Sequence, residues 1–244
     1  HSSQTPLGIQ TANLHQTDLT NITFANNAAG ENIVLYGQPV LGGAAVLNDQ
    51  PGLDAYVVLD GNLSHWFVVP PTATLSINPG VTLKFNESGG DFGLRVEGEL
   101  HTAGTEADPV IFTSQTDSAP GQWNGILLEN GTAQLNHAEV RYATYNLTVN
   151  NTAVSTPVVL QNSQLHSAAL DGLLIADGTV TAVCSRFTNN NGSGVFVLNT
   201  GQPTVQIGSS ALVGNGTAGL TNQNAHVVDA RQNWWADASG PAGI

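Results

Sequence analysis

The chain has 244 residues, with 5 Lys+Arg against 18 Asp+Glu, a formal net charge of −13 and 41% hydrophobic residues. Such a polyanion has no basic face with which to neutralise phosphates, which excludes nucleic acid and anionic lipid surfaces as partners, while the apolar content suffices for a core. Cys184 is the one cysteine, so no intrachain disulfide or Cys-based zinc site can form, and apolar runs such as Trp66 to Pro71 are too short to span a membrane.

Beginning at His1 without a leader fits a mature secreted protein or a segment of a longer chain, and the Asn-, Thr-, Ser- and Gly-rich, Lys-poor composition predicts an exported surface. Near the N-terminus Thr17, Leu19, Ile22 and Phe24 stand at offsets −7, −5, −2 and 0 of a frame that recurs downstream. Residues 1–55 therefore read as N-terminal coils or a strand-exchange segment, starting in mid-repeat with no capping helix. Residues 56–244 read as the main body.

The frame is set by Val140, Leu165, Phe187, Leu212 and Trp235, spaced by 25, 22, 25 and 23 residues. Seven positions earlier stand Ala133, Val158, Val180, Val205 and Val228; five earlier stand Leu135, Leu160, Ala182, Ile207 and Ala230. Two earlier are Ala138, Ser163, Ser185, Ser210 and Asn233. Offsets −7 and −5 alternate like a strand with one buried face, and a bend then turns −2 and 0 inward. A second strand follows in Gly125–Leu128, Gly172–Ile175 and Gly194–Val197. Strands recurring every 22–25 residues without crossover helices predict an all-β solenoid, a parallel β-helix, whose core ladder is the five reference residues. Asn27, Asn190 and Asn215, three residues after a reference position, are predicted to stack as an Asn ladder at the turns.

The middle of the chain carries a resemblance. Trp66-Phe67-Val68-Val69-Pro70, Leu75-Ser76-Ile77 and Pro79-Gly80-Val81-Thr82-Leu83-Lys84-Phe85 resemble the opening coils of bacterial right-handed parallel β-helix repeat proteins of the pectate-lyase-like superfamily, surface and adhesin branch. Val110-Ile111-Phe112-Thr113-Ser114 and Trp123-Asn124-Gly125-Ile126 continue it, and Asn233-Trp234-Trp235 with Ser239-Gly240-Pro241 resembles a closing segment. The resemblance implies right-handedness; for function it is broad, since it spans lyases, epimerases, adhesins and surface proteins.

The chain has few candidates for catalysis. A uronate lyase needs basic side chains together, yet Arg141, Arg186 and Arg231 fall at offsets +1, −1 and −4 and are expected to be isolated and solvent-facing. The pairs Glu97/Glu99 and Asp171/Asp177 are the nearest to a two-carboxylate site and are expected to be solvated. His137, His166 and His226 are not gathered by the repeat, so no metal or other cofactor is expected; turn Asp, Asn and carbonyl oxygens are compatible with calcium, but no Gly-Gly-x-Gly-x-Asp repeat calls for it. Cys184, at −3, is expected to be outward and partly covered, alongside His137, Asn162 and Ser209.

Sequons make Asn21, Asn62, Asn86, Asn130, Asn146, Asn150 and Asn191 candidate N-glycan acceptors, whereas Asn215, in the ladder, should stay bare. The expected function is non-enzymatic: a secreted or cell-surface structural protein, an adhesin segment or the subunit of an extracellular filament that self-associates end to end through its coils. The alternative is a polysaccharide-binding or polysaccharide-degrading β-helix, with Trp66, Trp123, Trp234, Trp235, Tyr142 and Tyr145 as sugar-stacking candidates.

Overall fold

The computed structural model describes residues 7–27, 30–36, 40–59, 66–87, 92–151 and 156–236. Within them the chain winds as an all-β solenoid of about 8 turns with almost no helix. Each full turn lays one short strand in each of three parallel sheets, as Thr132–Asn136, Ala138–Arg141 and Leu147–Asn150 do. Sheet A, containing Ala138–Arg141, has nine strands; sheet B, containing Leu147–Asn150, has seven; sheet C, containing Thr132–Asn136, has eight.

The repeat columns are literal neighbours. In sheet C Val158, Val180, Val205 and Val228 stack in register, beside Leu135, Leu160, Ala182 and Ile207. In sheet A Val140, Leu165, Phe187 and Leu212 do the same. All of these except Val228 are buried in one continuous core that runs from Ile9 to Leu212. Phe85 and Trp123 stack inside it, ring centroids 4.5 Å apart and planes nearly parallel, with the indole N–H donating to the Arg141 carbonyl at 2.8 Å. Tyr56 is wholly buried; its hydroxyl donates to the Asn48 carbonyl, and burial pushes its pKa up to about 12.

Each sheet A strand of the later coils is bracketed by two left-handed residues. They are His137 and Tyr142, then Asn162 and Ser167, Cys184 and Asn189, and Ser209 and Gly214. These bends cost about 1 kcal/mol or more at each non-glycine position and need compensation. Two internal ladders supply it. On the entry side, the backbone N–H groups of Ala138, Ser163, Ser185 and Ser210 donate in turn to the side chains of Ser163, Ser185, Ser210 and Asn233, at 2.9–3.2 Å. On the exit side, Asn190 bonds Asn215 and Asn146 reaches Asn190. The serine column was visible in the sequence only as small residues; its hydrogen bonds close groups that burial would otherwise leave unpaired.

At the N-terminal end the repeat frame departs from the sequence expectation. Sheet A there runs Leu7, Ile33, Tyr56, Leu83, and Phe24 is not in it. Instead the Phe24 N–H donates to the Pro51 carbonyl, and a six-residue 3-10 helix, Thr11–Gln16, packs against the sheet C strand Ala45–Leu47, the last of its sheet. Leu14 of this helix is buried, as are Leu19 and Phe24 after it, so this end carries a small helical segment that helical periodicity was too short to reveal. Strands from residues 7–58 continue sheets A and C without a break into those beyond residue 66, while sheet B begins with Trp66–Val69.

Candidate functional site

The outer face of sheet A carries two parallel columns. One is Lys84, Thr113, Arg141, His166, Thr188 and Val213; the other is Ile111, Glu139, Gln164, Arg186 and Ala211, extended by the bridge from Ala211 to Trp234. Because the strands are in register, a residue one turn away in sequence lies one strand spacing away in space, about 4.8 Å.

At the crossing of the columns the charges are gathered, contrary to the expectation that Arg141 is isolated. Its guanidinium makes a bidentate pair with Asp117, at 2.7 and 2.5 Å, and a second ion pair with Glu139. The same Glu139 oxygen is 3.0 Å from Nε2 of His166. Asp117 also accepts from the Thr113 hydroxyl. The Arg141 hydrogen bonds hold the Asp117 carboxyl below the usual carboxylate range; His166, then Arg141, do so for Glu139. Both carboxylates are therefore held ionised, which suits anchoring and not proton donation. Asp117 comes from the loop before Trp123, which has no counterpart in the later coils and so left no periodic signal.

Beside this network, along the corner where sheet C passes into sheet A, runs a groove. Its first part, about 340 Å³, lies between Thr105, Glu106 and Pro109 on one side and His137, Glu139, Asn162, Gln164, Cys184 and Arg186. Its second part, about 350 Å³, shares Cys184 and Arg186 and reaches Gln232 and Trp234. The left-handed residues form its floor and the outward column its wall. Arg186 is exposed and makes no ion pair among the described residues, and Trp234 keeps 52% of its surface exposed. A separate apolar cleft of about 300 Å³ lies on sheet B between Trp66, Leu127, Tyr145 and Leu174.

The structure distributes the remaining candidates as follows. Asn190 and Asn215 stack, but Asn27 is held away from them by Glu31, which takes both its backbone and side-chain N–H groups, because residues at this end belong to the irregular first turn. Asn146, a sequon residue, is fully buried, donating to the His166 carbonyl at 2.9 Å; it belongs to the ladder and has no room for sugar. Asn21, Asn130 and Asn191 are exposed, Asn86 and Asn150 half-buried, and Asn62 lies outside the described residues. Trp235 is half-buried on Gly219 at the end of the core ladder. Trp123 is buried, which removes it from the sugar-stacking set.

Nor do the paired carboxylates converge. Glu97 binds Arg95 at 2.6 Å, while Glu99 lies beside Thr74 and His101. Asp171 accepts the Ser193 N–H, and Asp177 binds Gly178 and Gln202 at a different corner. Arg231 pairs with Asp229. Among the described residues no three His, Cys, Asp or Glu side chains converge as metal ligands, and no helix is long and apolar enough to cross a membrane.

Residues 53–156 match the family of the pectate-lyase like beta helix domain, and the three-sheet parallel solenoid is consistent with the pectate-lyase-like superfamily. No curated protein and no solved structure matches the chain.

Proposed function

We propose that the protein is a non-enzymatic, extracellular structural β-helix, an adhesin segment or filament subunit whose coils associate end to end. The observation that carries this reading is the loss of burial along the inward columns. Leu212 is 3% exposed, but in the following turn Leu220, Val228 and Trp235 are only half covered, and Val227 is 87% exposed. Among the described residues Leu220–Asn222 and Val228–Asp229 are the last strands of sheets B and C, and Ala211–Val213 of sheet A is followed only by the bridge to Trp234. Strands in sheets B and C with no further strand beyond them among the described residues, above half-covered apolar side chains, are a template for further strands. The other end, where the 3-10 helix Thr11–Gln16 packs against Ala45–Leu47, is different, so the contact between copies would be head to tail and would propagate.

The outer face agrees with a non-catalytic role. Arg95, Arg141 and Arg231 are each matched to carboxylates, which is the arrangement of a neutralised wall. Negative-stain microscopy with light scattering on the purified chain tests the reading. Linear particles that lengthen with concentration are expected; a monomer of 25.3 kDa at every concentration would refute end-to-end association. Release of reducing ends or unsaturated products from a glycan panel, with or without calcium, would refute the non-enzymatic assignment.

A further inference from the structure

We infer that the cleft on sheet B is a binding site for a small quaternary ammonium ion, a trimethylammonium group carried on a soluble molecule such as choline. This does not depend on end-to-end association, because the cleft opens on the side wall of the solenoid. Three features support it. First, the cleft is a notch between two aromatic residues. Trp66, Gly93 and Gly125 are successive rungs of one column of sheet B, and the Tyr145 carbonyl adjoins Gly125. The indole lies over Gly93, where a Cβ would come within 2.5 Å of the ring, and a Cβ on Gly125 would come within 1.8 Å of the Tyr145 carbonyl. Two rungs without side chains thus leave a seat that two rings border. Beside it Leu127, Thr148 and Leu174, paired rung to rung, line a cavity of about 300 Å³.

Second, the lining calls for a ligand with an apolar exterior. Around the two rings and the two leucines, the polar side chains are limited to Asn124, Thr144 and Thr148. A ligand rich in hydroxyl or N–H groups would leave some of them without partners, at a cost that a coat of methyl groups does not incur. An apolar cavity of this size with few polar groups is the usual form of a small-ligand site.

Third, charge selects the class. The strands of sheet B contain one basic residue, Arg95, which is shared between Glu97 at 2.6 Å and Glu129 at 2.8 Å. Two carboxylates on one guanidinium leave negative charge in excess beside Leu127, the rung next to Arg95. At the other side Asp171 is near enough to Tyr145 that burial, then this carboxylate, raises the phenol above its ordinary pKa. With −13 on the whole chain, the field favours a cation. An ion both positive and coated in methyl groups is a quaternary ammonium, whose diffuse charge is held by the faces of Trp and Tyr without hydrogen bonds. A primary ammonium has three donors to satisfy and meets few acceptors here.

The test is titration calorimetry and tryptophan fluorescence with choline and tetramethylammonium. Ethanolamine serves as the primary ammonium, the tert-butyl analogue of choline as the uncharged isostere, and phosphatidylcholine vesicles as the lipid-borne headgroup. Choline and tetramethylammonium should both bind and perturb the fluorescence, and ethanolamine and the uncharged isostere should bind at least tenfold more weakly. Trp66→Ala should weaken choline binding at least tenfold, Trp66→Phe much less, and Tyr145→Ala and Glu129→Gln each several-fold. Trp66 stands in the first strand of sheet B, so if circular dichroism melting shows that Trp66→Ala loosens this strand, the Tyr145 and Glu129 substitutions decide. Trp234→Ala, at the edge of sheet A, should change nothing. Absence of binding by both cations, equal binding of the uncharged isostere, capture of the vesicles without binding of free choline, or folded Trp66 and Tyr145 variants that bind choline undiminished would overturn the assignment.

Discussion

Oδ1 of Asn215 accepts two hydrogen bonds from Asn190 one coil away, from its backbone N–H at 3.1 Å and from its Nδ2 at 3.0 Å. Asn190 is itself 1% exposed, and its own Oδ1 takes the Ala168 N–H while its Nδ2 also reaches the Leu165 carbonyl. The Asn190 side chain thus closes the backbone of the neighbouring coil between Leu165 and Ala168, at a corner where the residue before it, Asn189, is left-handed.

Asn190→Ala would leave the Ala168 N–H and the Leu165 carbonyl without these partners inside the solenoid. At about 1–3 kcal/mol for each stranded group, a loss of about 2–5 kcal/mol is expected from urea unfolding. Asn190→Asp should be no better at neutral pH, since a carboxylate cannot donate to the Leu165 carbonyl. A loss under 1 kcal/mol in both would show that water fills the ladder.

Ser185 performs the equivalent task at the other corner, accepting the Ser163 N–H at 3.2 Å and donating to the Val183 carbonyl at 2.9 Å. Ser185→Ala is expected to cost about 1–2 kcal/mol, because the two backbone groups lose one partner between them while the volume is nearly kept. By contrast Leu160→Asp or Ile207→Asp, each at 0% exposure, should prevent folding by burying an unpaired charge. A melting curve unchanged by either aspartate would be incompatible with the sheet C register.

The Arg141 network makes stability depend on acid. Asp117 and Glu139 are both depressed from ordinary values of 3.8 and 4.5, so their contribution is complete above those values and is lost as pH falls through the lower folded ones. The melting temperature should therefore fall as pH drops below about 4.5. Asp171, raised by burial, works in the opposite sense, gaining as it protonates, but it is a single group against two. Arg141→Met should cost about 1–2 kcal/mol at pH 7, near the top of the range for accessible pairs because Arg141 and Glu139 side chains are only 19% and 20% exposed. Its curve should converge on the unsubstituted protein's at low pH. Parallel curves would mean that the network does not govern acid stability.

Legibility in the sequence followed periodicity. From residue 133 onward, each coil spends nearly the same number of residues on each side, so columns seven, five and two places before the reference residue become physical stacks, and even the groove wall can be read one place before it, through Glu139, Gln164, Arg186 and Trp234. Where local structure replaces a strand, the frame slips. Phe24 has correctly spaced neighbours, but the first turn substitutes a 3-10 helix for a strand and places Ile33 in the sheet A column. Asp117 was invisible as the Arg141 partner for a related reason: its position in an aperiodic loop has no homologue one coil away. Asn146 stands in a sequon, yet its burial is decided by which side of the corner it occupies, which no sequon encodes.

That last distinction can be measured. Expressed in a host that glycosylates secreted proteins, the chain should carry sugar at some of Asn21, Asn130 and Asn191, which are exposed, and none at Asn146, whose amide is enclosed between the His166 carbonyl and Asn190. Sugar on Asn146 would force a bulky, hydrated group into the buried corner and block closure of that coil, so molecules bearing it would not reach the folded fraction. Asn215, half-buried and bonded to the Phe187 carbonyl through Nδ2, should be bare as well. Peptide mapping by mass spectrometry after enzymatic deglycosylation in heavy-oxygen water marks each occupied site. A folded, secreted fraction marked at Asn146 would contradict the ladder, because Nδ2 uses both of its hydrogens inside the corner and a glycosylated amide keeps only one.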